Sequence, residues 1–449
     1  MKKAFKAYDI RGVFGRDFNL EDVYKIGFFL PQLLDTERVL VGRDIRASSD
    51  DIFNALAHGI TDSGASVWEL GLTTTPMVYW ATARFDFEAS VQITASHNPK
   101  EYNGLKISRK GALPVGYETG LNQLEAMIES SPVIPVQHKG VIYPFDISDE
   151  YLMFILKHKP DYSNLKIAVD CSNGMASLFA RQLLGPDILY IYDEPDGSFP
   201  NHEPNPLEEE NVEDLKKLVV KESCDVGIIF DGDADRVMFV DDKGRFIRPD
   251  IMIALLGDYF RKHKRTGQVV MDIRSSKRVG KYLEKLGFKT HLWKVGRAFA
   301  ALKLRELDAV FGGELAGHYY FKDFFFSDSA FLAVMYLLDV ISEKHANGVK
   351  LSAWVDQLNG SWANSGEINF KIERKSETME AMKEHFAKTG SVRRFLDFDG
   401  YRIEFDDWWF NVRPSNTEPY LRFLAEAQSA EVLEQKLKEV REIVGRFGG

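Results

Sequence analysis

Residues 226–236 read VGIIFDGDADR, an apolar run followed directly by a loop with three aspartates. A short apolar run bounded by a polar loop is typical of a buried β-strand. Similar runs occur at 38–42, 90–94, 165–169 and 268–271. We expect a loop and then a helix after each of them. This alternation predicts an α/β protein with largely parallel or mixed sheets, whose chemistry lies on loops at the carboxyl ends of strands.

Three stretches with little regular pattern divide the chain, at 130–146, 241–250 and 358–367. They predict four domains of ordinary size, at residues 1–145, 146–247, 248–362 and 363–449. Helices are expected at 44–63 and, as a buried element, at 330–338. The last domain reads as α+β, with strands at 401–405 and 408–412 and an amphipathic helix at 430–447.

The composition limits the classes of partner. The 449 residues carry a net charge of −10, with 45% apolar and 28% charged residues. Nucleic acids and anionic membranes both bind broad basic surfaces, so a general binder of either is excluded. A local cluster of arginine and lysine on an acidic protein can still bind a phosphate.

The sequence also indicates a compartment. Cys171 and Cys224 have no metal-ligand spacing and fit a reducing environment. The start MKKAFKAYDIRG lacks the apolar core of a signal peptide. The run at 330–338 is shorter than the ~20 residues that span a bilayer. We therefore expect a cytoplasmic protein without a membrane partner, either a monomer or a weak homo-oligomer.

The segment TASHNPKEYNG at 94–104 gathers the groups that a phosphoryl carrier needs. Ser96 is the candidate nucleophile and His97 is its direct neighbour. Lys106 follows shortly and brings a positive charge. The pair Asn98-Pro99 favours a turn that would expose the serine. A serine that only caps a helix or bonds its own turn is the plain alternative.

The loop DGDADR places Asp231, Asp233 and Asp235 at alternating positions. Two unit charges about 4 Å apart repel by roughly 4 kcal/mol at an effective dielectric of about 20, so a cation has to offset them. Hard oxygen ligands suit Mg²⁺ or Ca²⁺. An EF-hand is excluded, because its sixth and twelfth positions would be Arg236 and Asp242 instead of glycine and glutamate.

Two further loops carry polar groups suited to a sugar phosphate. GGELAGHY at 312–319 presents Glu314 and His318, which can bind sugar hydroxyls, after two glycines that permit close backbone approach. RPSNT combines a guanidinium with hydroxyl and amide donors, a good phosphate cradle. Its candidate residues are Arg413, Ser415, Asn416 and Thr417.

Together the four loops supply a nucleophile, a metal site, residues that can bind hydroxyls and a phosphate-binding loop. This combination points to phosphoryl transfer on a phosphorylated polyol. One rival is a hydrolase of the haloacid dehalogenase type with Asp231 as nucleophile. That class normally has Thr or Val where this chain has Asp235, and it leaves the Ser96 loop unexplained. The other rival is a non-catalytic sugar-phosphate sensor, which would not need Ser96 and three aspartates.

The motifs TASHNP, DGDADR, GGELAGH and RPSNT, with AYDIRG at 7–12, resemble the α-D-phosphohexomutase superfamily over essentially the whole chain. With SGEINFKI at 365–372, the likeness is greatest to bacterial phosphomannomutases and phosphomannomutase/phosphoglucomutases. The resemblance implies three similar α/β domains with mixed sheets and a smaller α+β C-terminal domain around a central cleft. It implies interconversion of mannose 1-phosphate and mannose 6-phosphate. Phosphoglucomutase or dual specificity is the alternative, and phosphoglucosamine mutase is a minor one.

The resemblance also implies roles for the loops. Ser96 would be phosphorylated in the active form, and Mg²⁺ would lie between it and Asp231, Asp233 and Asp235. The phosphoryl group would pass to a hexose phosphate, and the resulting hexose 1,6-bisphosphate, also the activator, would turn and return its other phosphate. The other catalytic candidates are His97, Lys106, Arg11 and Arg236. The candidates for substrate binding are Glu314, His318, Arg274, Arg297, Arg413, Ser415, Asn416 and Thr417.

Three positions depart from the superfamily pattern. Ala316 stands where the sugar loop usually has serine, and Arg297 stands where many relatives carry histidine. Arg274 lies where several relatives have lysine. All three surround the sugar or its phosphate and not the metal, so they keep the reaction class and leave the sugar preference open.

Overall fold

Four β-sheets follow one another along the chain in the computed structural model, which describes residues 4–415 and 420–448. The first three sheets mix parallel and antiparallel strands and are flanked by helices, and the fourth is antiparallel throughout. The expected fold class, three α/β units followed by a smaller α+β unit, is confirmed.

The first sheet has seven strands. They are β1 (Ile10–Val13), β2 (Arg38–Arg43), β3 (Ser66–Leu72), β4 (Ala89–Ile93), β5 (Tyr102–Arg109), β6 (Leu113–Pro114) and β7 (Ile142–Pro144). The helices are α1 (Leu20–Leu34), α2 (Ser49–Asp62), α3 (Thr75–Arg84) and α4 (Leu121–Ser130). The spatial order is β1-β5-β4-β2-β3-β7, with β6 beside β5. Strands β4, β2, β3 and β7 run parallel, and β5 is antiparallel to β4.

The second sheet has five strands in the order β12-β11-β10-β8-β9. They are β8 (Ile167–Asp170), β9 (Leu189–Ile191), β10 (Val226–Phe230), β11 (Val237–Asp241) and β12 (Phe246–Ile247). The helices are α5 (Ser148–Leu156), α6 (Ala180–Leu184) and α7 (Glu213–Glu222). Every residue of β10 is buried, as its apolar sequence predicts.

The third sheet has five strands in the order β14-β13-β15-β16-β17. They are β13 (Gln268–Asp272), β14 (Lys289–Trp293), β15 (Phe311–Gly313), β16 (Tyr319–Phe321) and β17 (Ser327–Asp328). The helices are α8 (Pro249–Lys262), α9 (Lys277–Lys285), α10 (Arg297–Glu306), α11 (Ala330–Ala346) and α12 (Leu351–Asn359).

The fourth sheet has the order β18-β22-β21-β20-β19. Its strands are β18 (Ala363–Lys371), β19 (Arg394–Leu396), β20 (Tyr401–Glu404), β21 (Trp408–Pro414) and β22 (Tyr420–Ala427). Its helices are α13 (Lys375–Thr389) and α14 (Ala430–Gly445). The predicted strands and helix of this unit are all present.

The first three sheets repeat one strand order, seen in β3-β2-β4-β5, β9-β8-β10-β11 and β14-β13-β15-β16. In each, the third of these strands turns into an antiparallel partner. The prediction of a helix after the strands at 90–94 and 226–230 is therefore wrong. The connections at 94–101 and 231–236 are shorter than the dozen or more residues that a parallel crossover needs, so a hairpin forms instead.

One contiguous apolar core joins the first three units, with members from Leu40 to Leu358. The predicted buried helix at 330–338 is confirmed as the first part of α11, which this core surrounds. The C-terminal unit has a core of its own between Ile372 and Val444, as a separate domain does. Within residues 4–415 and 420–448, no helix combines the length and apolar character needed to cross a membrane.

Candidate active site

Ser96 lies in the hairpin connection between β4 and β5, at the carboxyl end of β4. Its backbone is left-handed, with a φ of 52°, and its N–H donates to Oγ1 of Thr94 at 2.9 Å. Its Oγ donates to Oδ2 of Asp231 at 2.8 Å. The first and second sheets thus bring the predicted carrier into contact with the predicted metal loop.

The three aspartates occupy the equivalent hairpin connection of the second sheet, between β10 and β11. Asp231, Asp233 and Asp235 are 0%, 0% and 1% exposed. Oδ1 of Asp231 accepts the backbone N–H groups of Asp235 at 3.2 Å and Arg236 at 3.1 Å, which closes the turn. One oxygen from each aspartate lies within 4.8 Å of the others. The three carboxylates converge, as their alternating positions predict.

Lys106 extends from β5 into this carboxylate cluster. Its Nζ lies 2.6 Å from Oδ2 of Asp233 and also bonds Oδ2 of Asp235. Arg236 adds a second cation, with Nε 3.7 Å from Oδ2 of Asp231. The spacing of the aspartates predicts that a metal ion offsets their charge. Lys106 and Arg236 supply part of that offset, which the spacing alone does not indicate.

Burial and neighbouring charges set the pKa values of the cluster. Burial raises the pKa of Asp231, and Asp235 and Asp233 raise it further. Burial acts in the same direction on Asp235, but Lys106 and His318 outweigh it and lower the pKa of that carboxyl. Burial acts to lower the pKa of Lys106, but the two aspartates outweigh it and raise the pKa. Lys106 is therefore an ammonium ion at neutral pH.

The cluster fits a divalent metal ion. Oδ1 of Asp233 and Oδ1 of Asp235 are buried and have no hydrogen-bond partner in the described part of the chain. Leaving a buried acceptor unsatisfied costs about 1–3 kcal/mol. Carboxylate oxygens are the ligands that Mg²⁺ prefers. The three carboxylates outnumber the two positive side chains, Lys106 and Arg236. A net negative charge therefore remains for a cation to offset.

Arg236 connects two histidines. Its Nη2 lies 2.8 Å from Nδ1 of His97, and its Nε donates to Nε2 of His318 at 3.1 Å. His318 lies with Nδ1 2.7 Å from Oδ2 of Asp328. A guanidinium only donates, so Nδ1 of His97 accepts this hydrogen bond and carries no proton. Burial lowers the pKa of His97, and Arg236 lowers it further.

Arg11, from β1, lies against the serine loop, which is the connection of residues 94–101 between β4 and β5. Its Nη1 donates to Oδ1 of Asn98 at 2.8 Å, and its Nη2 pairs with Asp9. Its Nε is buried and has no hydrogen-bond partner among residues 4–415 and 420–448. One donor of this guanidinium is therefore left for an anion beside Ser96.

Glu314 is the first residue of the third equivalent connection, between β15 and β16. Its Oε1 accepts from the hydroxyl of Tyr320 at 2.6 Å, and its Oε2 accepts from the N–H of Gly296 at 3.2 Å. Burial raises its pKa. Both carboxylate oxygens thus accept hydrogen bonds from other residues of the protein. Binding of sugar hydroxyls by Glu314 stays a prediction.

Two of the arginines that we expect to bind substrate are held by carboxylates. Nη2 of Arg274 lies 2.8 Å from Oδ2 of Asp272. Nε of Arg297 donates to Oδ1 of Asp328 at 3.0 Å, and its Nη2 donates to the carbonyl of Ala112 at 3.1 Å. Arg297 thus joins the third sheet to the first unit. Substrate binding by either arginine stays a prediction.

Arg413 lies at the end of β21, in the predicted phosphate loop. It is 7% exposed, and its Nε has no partner among the described residues. Burial lowers its pKa, and the nearby Arg274 lowers it further. The N–H of Ser415 donates to the carbonyl of Tyr420 at 2.9 Å. The other two predicted residues of this loop, Asn416 and Thr417, lie outside the described residues.

Three residues at the site were missed by the sequence argument. Thr75 donates from Oγ1 to Oδ2 of Asp233 and from N–H to its carbonyl at 3.1 Å. Asp328 anchors His318, and Arg46 donates to the carbonyl of Ser96 at 2.8 Å. The helix-start signal in TTTP and the D-x-R pattern of GRDIR indicate ordered turns. Neither pattern tells which distant loop the turn contacts.

Comparison with known proteins identifies the class. The alpha/beta/alpha domains I, II and III and the C-terminal domain of the phosphoglucomutase/phosphomannomutase family match residues 2–132, 149–244, 248–359 and 367–443. The phosphomannomutase of Methanocaldococcus jannaschii is 34% identical over 452 residues, covering 99% of this chain and 98% of that protein. The phosphomannomutase of Escherichia coli K12 is 33% identical over 443 residues, covering 95% and 96%.

The fold gives the same answer. The crystal structure of a phosphoglucomutase/phosphomannomutase family protein from Burkholderia thailandensis superposes with a TM-score of 0.87 at 26% identity, covering 99% of this chain and 97% of that one. The chain belongs to the phosphoglucomutase/phosphomannomutase family of the α-D-phosphohexomutase superfamily. It is a phosphohexomutase, an enzyme of the isomerase class that acts in carbohydrate metabolism. The family is generally metal-dependent, and the buried aspartates are the candidate metal ligands in this chain.

Proposed function

We propose that this phosphohexomutase is a phosphomannomutase, which interconverts mannose 1-phosphate and mannose 6-phosphate. The observation that carries the mechanism is the 2.8 Å contact between Oγ of Ser96 and Oδ2 of Asp231, which joins a nucleophile to a buried carboxylate cluster. The two relatives at 34% and 33% identity, both phosphomannomutases, support mannose as the sugar.

Ser96 is the phosphoryl carrier in this proposal. The bond between phosphorus and Oγ of Ser96 breaks while a bond forms between phosphorus and the free hydroxyl of a hexose 1- or 6-phosphate. The product of this step is hexose 1,6-bisphosphate. The hydroxyl loses its proton and Oγ gains one, so no water is consumed. Transfer of the other phosphate back to Ser96 completes the cycle, and added bisphosphate serves as activator.

Asp231, Asp233 and Asp235, with the phosphate on Ser96, would hold Mg²⁺. When bound, that ion supplies positive charge that stabilises the transferring phosphoryl group. A phosphoserine brings about −1.5 to −2 charges, and the buried Nε of Arg11, which has no hydrogen-bond partner among the described residues, supports a role in holding it.

We assign the proton donor for Oγ of Ser96 to Lys106, because Lys106 is an ammonium ion bound to Asp233 and Asp235, in the same cluster as the Asp231 that accepts from Oγ. The neutral His97 accepts from Arg236 and orients that guanidinium toward the cluster. In this proposal Lys106 donates the proton and Arg236 supplies positive charge at the phosphoryl group. His97 contributes by orienting Arg236.

The phosphate that does not react would be bound in the C-terminal unit. The buried Nε of Arg413 without a partner in the described chain, and the second positive charge of Arg274 nearby, support an anion site there. Ser415, Asn416 and Thr417 complete this proposed phosphate-binding site. We propose Glu314, His318 and Arg297 for the sugar side.

We further propose domain boundaries after residues 145, 247 and 362. Each segment then contains one complete sheet, which supports the division. A cytoplasmic location is proposed because Cys171 and Cys224 are both free thiols. A monomer or weak homo-oligomer is proposed, and analytical ultracentrifugation tests it.

Phosphorus NMR tests the function. Mannose 1-phosphate and glucose 1-phosphate are followed in separate reactions with Mg²⁺ and a trace of hexose 1,6-bisphosphate. We expect conversion to the 6-phosphate without free phosphate, and faster conversion of mannose. A higher or equal rate with glucose would replace the proposal by a phosphoglucomutase or a dual-specificity enzyme. No conversion of either sugar would replace it by a phosphoglucosamine mutase or a sensor, and release of inorganic phosphate would overturn the mechanism.

A further inference from the structure

Arg46 lies in the loop between β2 and α2, and its side chain is completely buried. The sequence predicts a helix over 44–63, but α2 begins only at Ser49. Residues 44–48 instead form a loop that directs Arg46 toward the serine loop. Burying a guanidinium completely costs desolvation free energy, unless each of its N–H donors forms a hydrogen bond.

The terminal nitrogens of Arg46 bind the carbonyls of the serine loop. Nη2 donates to the carbonyl of Ser96 at 2.8 Å and to that of Asn98 at 2.7 Å. Nη1 donates to the carbonyl of Pro99 at 2.7 Å and to that of Tyr102 at 3.1 Å. One planar group therefore fixes the loop at both ends and in the middle.

The fifth donor of Arg46 orients the guanidinium. Nε donates to Oδ2 of Asp44 at 3.1 Å. Oδ1 of Asp44 accepts the N–H of Arg46 at 3.1 Å and the hydroxyl of Ser49 at 2.6 Å. An arginine has five N–H donors, and all five are used here. The ring of Phe199, from the second unit, covers the guanidinium at 5.0 Å.

The Ser96 backbone needs such a restraint. A left-handed residue other than glycine is disfavoured by roughly 1–2 kcal/mol, and Ser96 has a φ of 52°. Its carbonyl is held by Arg46 and its N–H by Thr94. With both peptide groups fixed, Oγ is directed at Asp231.

We propose that Arg46 is a positioning residue for the phosphoryl carrier, and that Asp44 orients it. This inference rests on the proposed function of Ser96. Arg46 keeps Oγ at one place beside the metal loop while the serine gains and loses its phosphate. Lysine cannot replace it, because a single ammonium has three donors and no planar fork.

Arg305 provides a matched control. Its guanidinium also donates to three backbone carbonyls, those of Ala301 at 2.9 Å, Gly111 at 2.6 Å and Phe325 at 2.7 Å. It links the third unit to the first, and none of its carbonyl partners belongs to the serine loop. An arginine that acts only through stability should behave like this one.

The test compares the wild type with Arg46→Lys, Asp44→Asn and Arg305→Lys. Two measurements are made on each full-length protein: kcat and KM for mannose 1-phosphate, and hydrogen exchange of the peptide covering residues 95–104. In Arg46→Lys we expect kcat to fall about a hundredfold with KM within about twofold, since a misplacement of about 1 Å can cost that much. Exchange of the loop should accelerate at least about tenfold. Asp44→Asn should change both in the same direction by less, and Arg305→Lys should change neither.

Several results would overturn the inference: a kcat loss no larger than in Arg305→Lys, a rise in KM without a change in kcat, or unchanged exchange of the loop. If Arg46→Lys does not fold, the two readouts on Asp44→Asn decide. If the wild type converts no hexose phosphate, the proposed function fails, while the exchange data still decide whether Arg46 restrains the loop.

Discussion

Lys106 and Asp233 form a buried ion pair between two hairpins, with Nζ 2.6 Å from Oδ2 and with 14% and 0% of the two side chains exposed. The lysine belongs to β5 of the first sheet, and the aspartate follows β10 of the second. Removing one partner of a buried pair leaves an uncompensated charge. This pair therefore links the relative position of two units to the charge of the aspartate loop at 231–236.

Replacing Lys106 by methionine should lower stability and increase the effect of Mg²⁺. The variant keeps the length of the side chain but leaves the aspartates with less compensation, so we expect a loss of about 3 kcal/mol in the free energy of unfolding without metal. Added Mg²⁺ should recover part of this loss. Thermal unfolding with and without Mg²⁺ measures both effects.

The exposed pair of Lys110 and Asp86 is the control for this variant. Their charged atoms lie 2.9 Å apart, but the side chains are 62% and 69% exposed. Lys110→Met should cost less than about 1 kcal/mol. A rise in melting temperature on adding Mg²⁺ that is equal in wild type and Lys106→Met would contradict the coupling between Lys106 and metal binding at the aspartate loop.

Replacing Ser96 by alanine should abolish turnover and leave the fold intact. The change removes one hydroxyl and its bond to Asp231, worth about 1 kcal/mol. Ser108→Ala is the control, because Ser108 is 1% exposed and its Oγ has no partner in the described residues. Incubation with hexose 1,6-bisphosphate and intact-protein mass spectrometry should detect one added phosphoryl group in the wild type and in Ser108→Ala only. Near-normal turnover of Ser96→Ala would remove Ser96 as carrier.

Removing divalent metal should abolish activity reversibly. Oδ1 of Asp233 and Oδ1 of Asp235, which accept no hydrogen bond within the described residues, give a cation two buried ligands. We expect chelation followed by desalting to lower turnover at least about a hundredfold, and Mg²⁺ to restore it. Circular dichroism before and after chelation separates loss of metal from unfolding. Turnover that survives thorough chelation would count against the aspartate loop as a catalytic metal site.

The sequence predicts the reactive residues of the site better than the residues that hold them in position. The strand at 226–230, the carboxylates behind it and the serine at 96 are local signals, because apolar runs and loop chemistry act within a few residues. Contacts such as that between Arg46 and Ser96 depend on two loops meeting in space. A single sequence does not show which distant loops are in contact, so the site roles of these residues could not be predicted.

The hairpins after β4 and β10 show the same limit at the level of the fold. Alternation of strands and helices predicts a crossover after each strand, whereas both strands turn back on antiparallel partners. The apolar segment at 237–241 would have indicated this, since it is a second strand within a few residues of the first. The loops with Ser96, with the three aspartates and with Glu314 are therefore hairpin tips, and the repeated strand order brings them to equivalent positions.

Asp258 gives a prediction about pH that is separate from catalysis. It lies on α8, and the hydroxyl of Tyr282 on α9 lies 2.9 Å and 2.8 Å from its two oxygens. Burial raises its pKa from 3.8 to about 6. The folded protein thus holds this proton more tightly than the unfolded chain. The resulting stability is complete below about pH 4 and is lost as the pH rises through about 6.

Replacing Asp258 by asparagine should remove this loss and raise stability at alkaline pH relative to acidic pH. Between about pH 4.5 and pH 8, the difference in unfolding free energy between variant and wild type should shift by about 1–2 kcal/mol in favour of the variant. Urea unfolding at both pH values measures it. Tyr282→Phe should act in the opposite direction, because the Tyr282 hydroxyl lowers the pKa of Asp258. An equal difference between Asp258→Asn and wild type at both pH values would show that Asp258 does not titrate in this range.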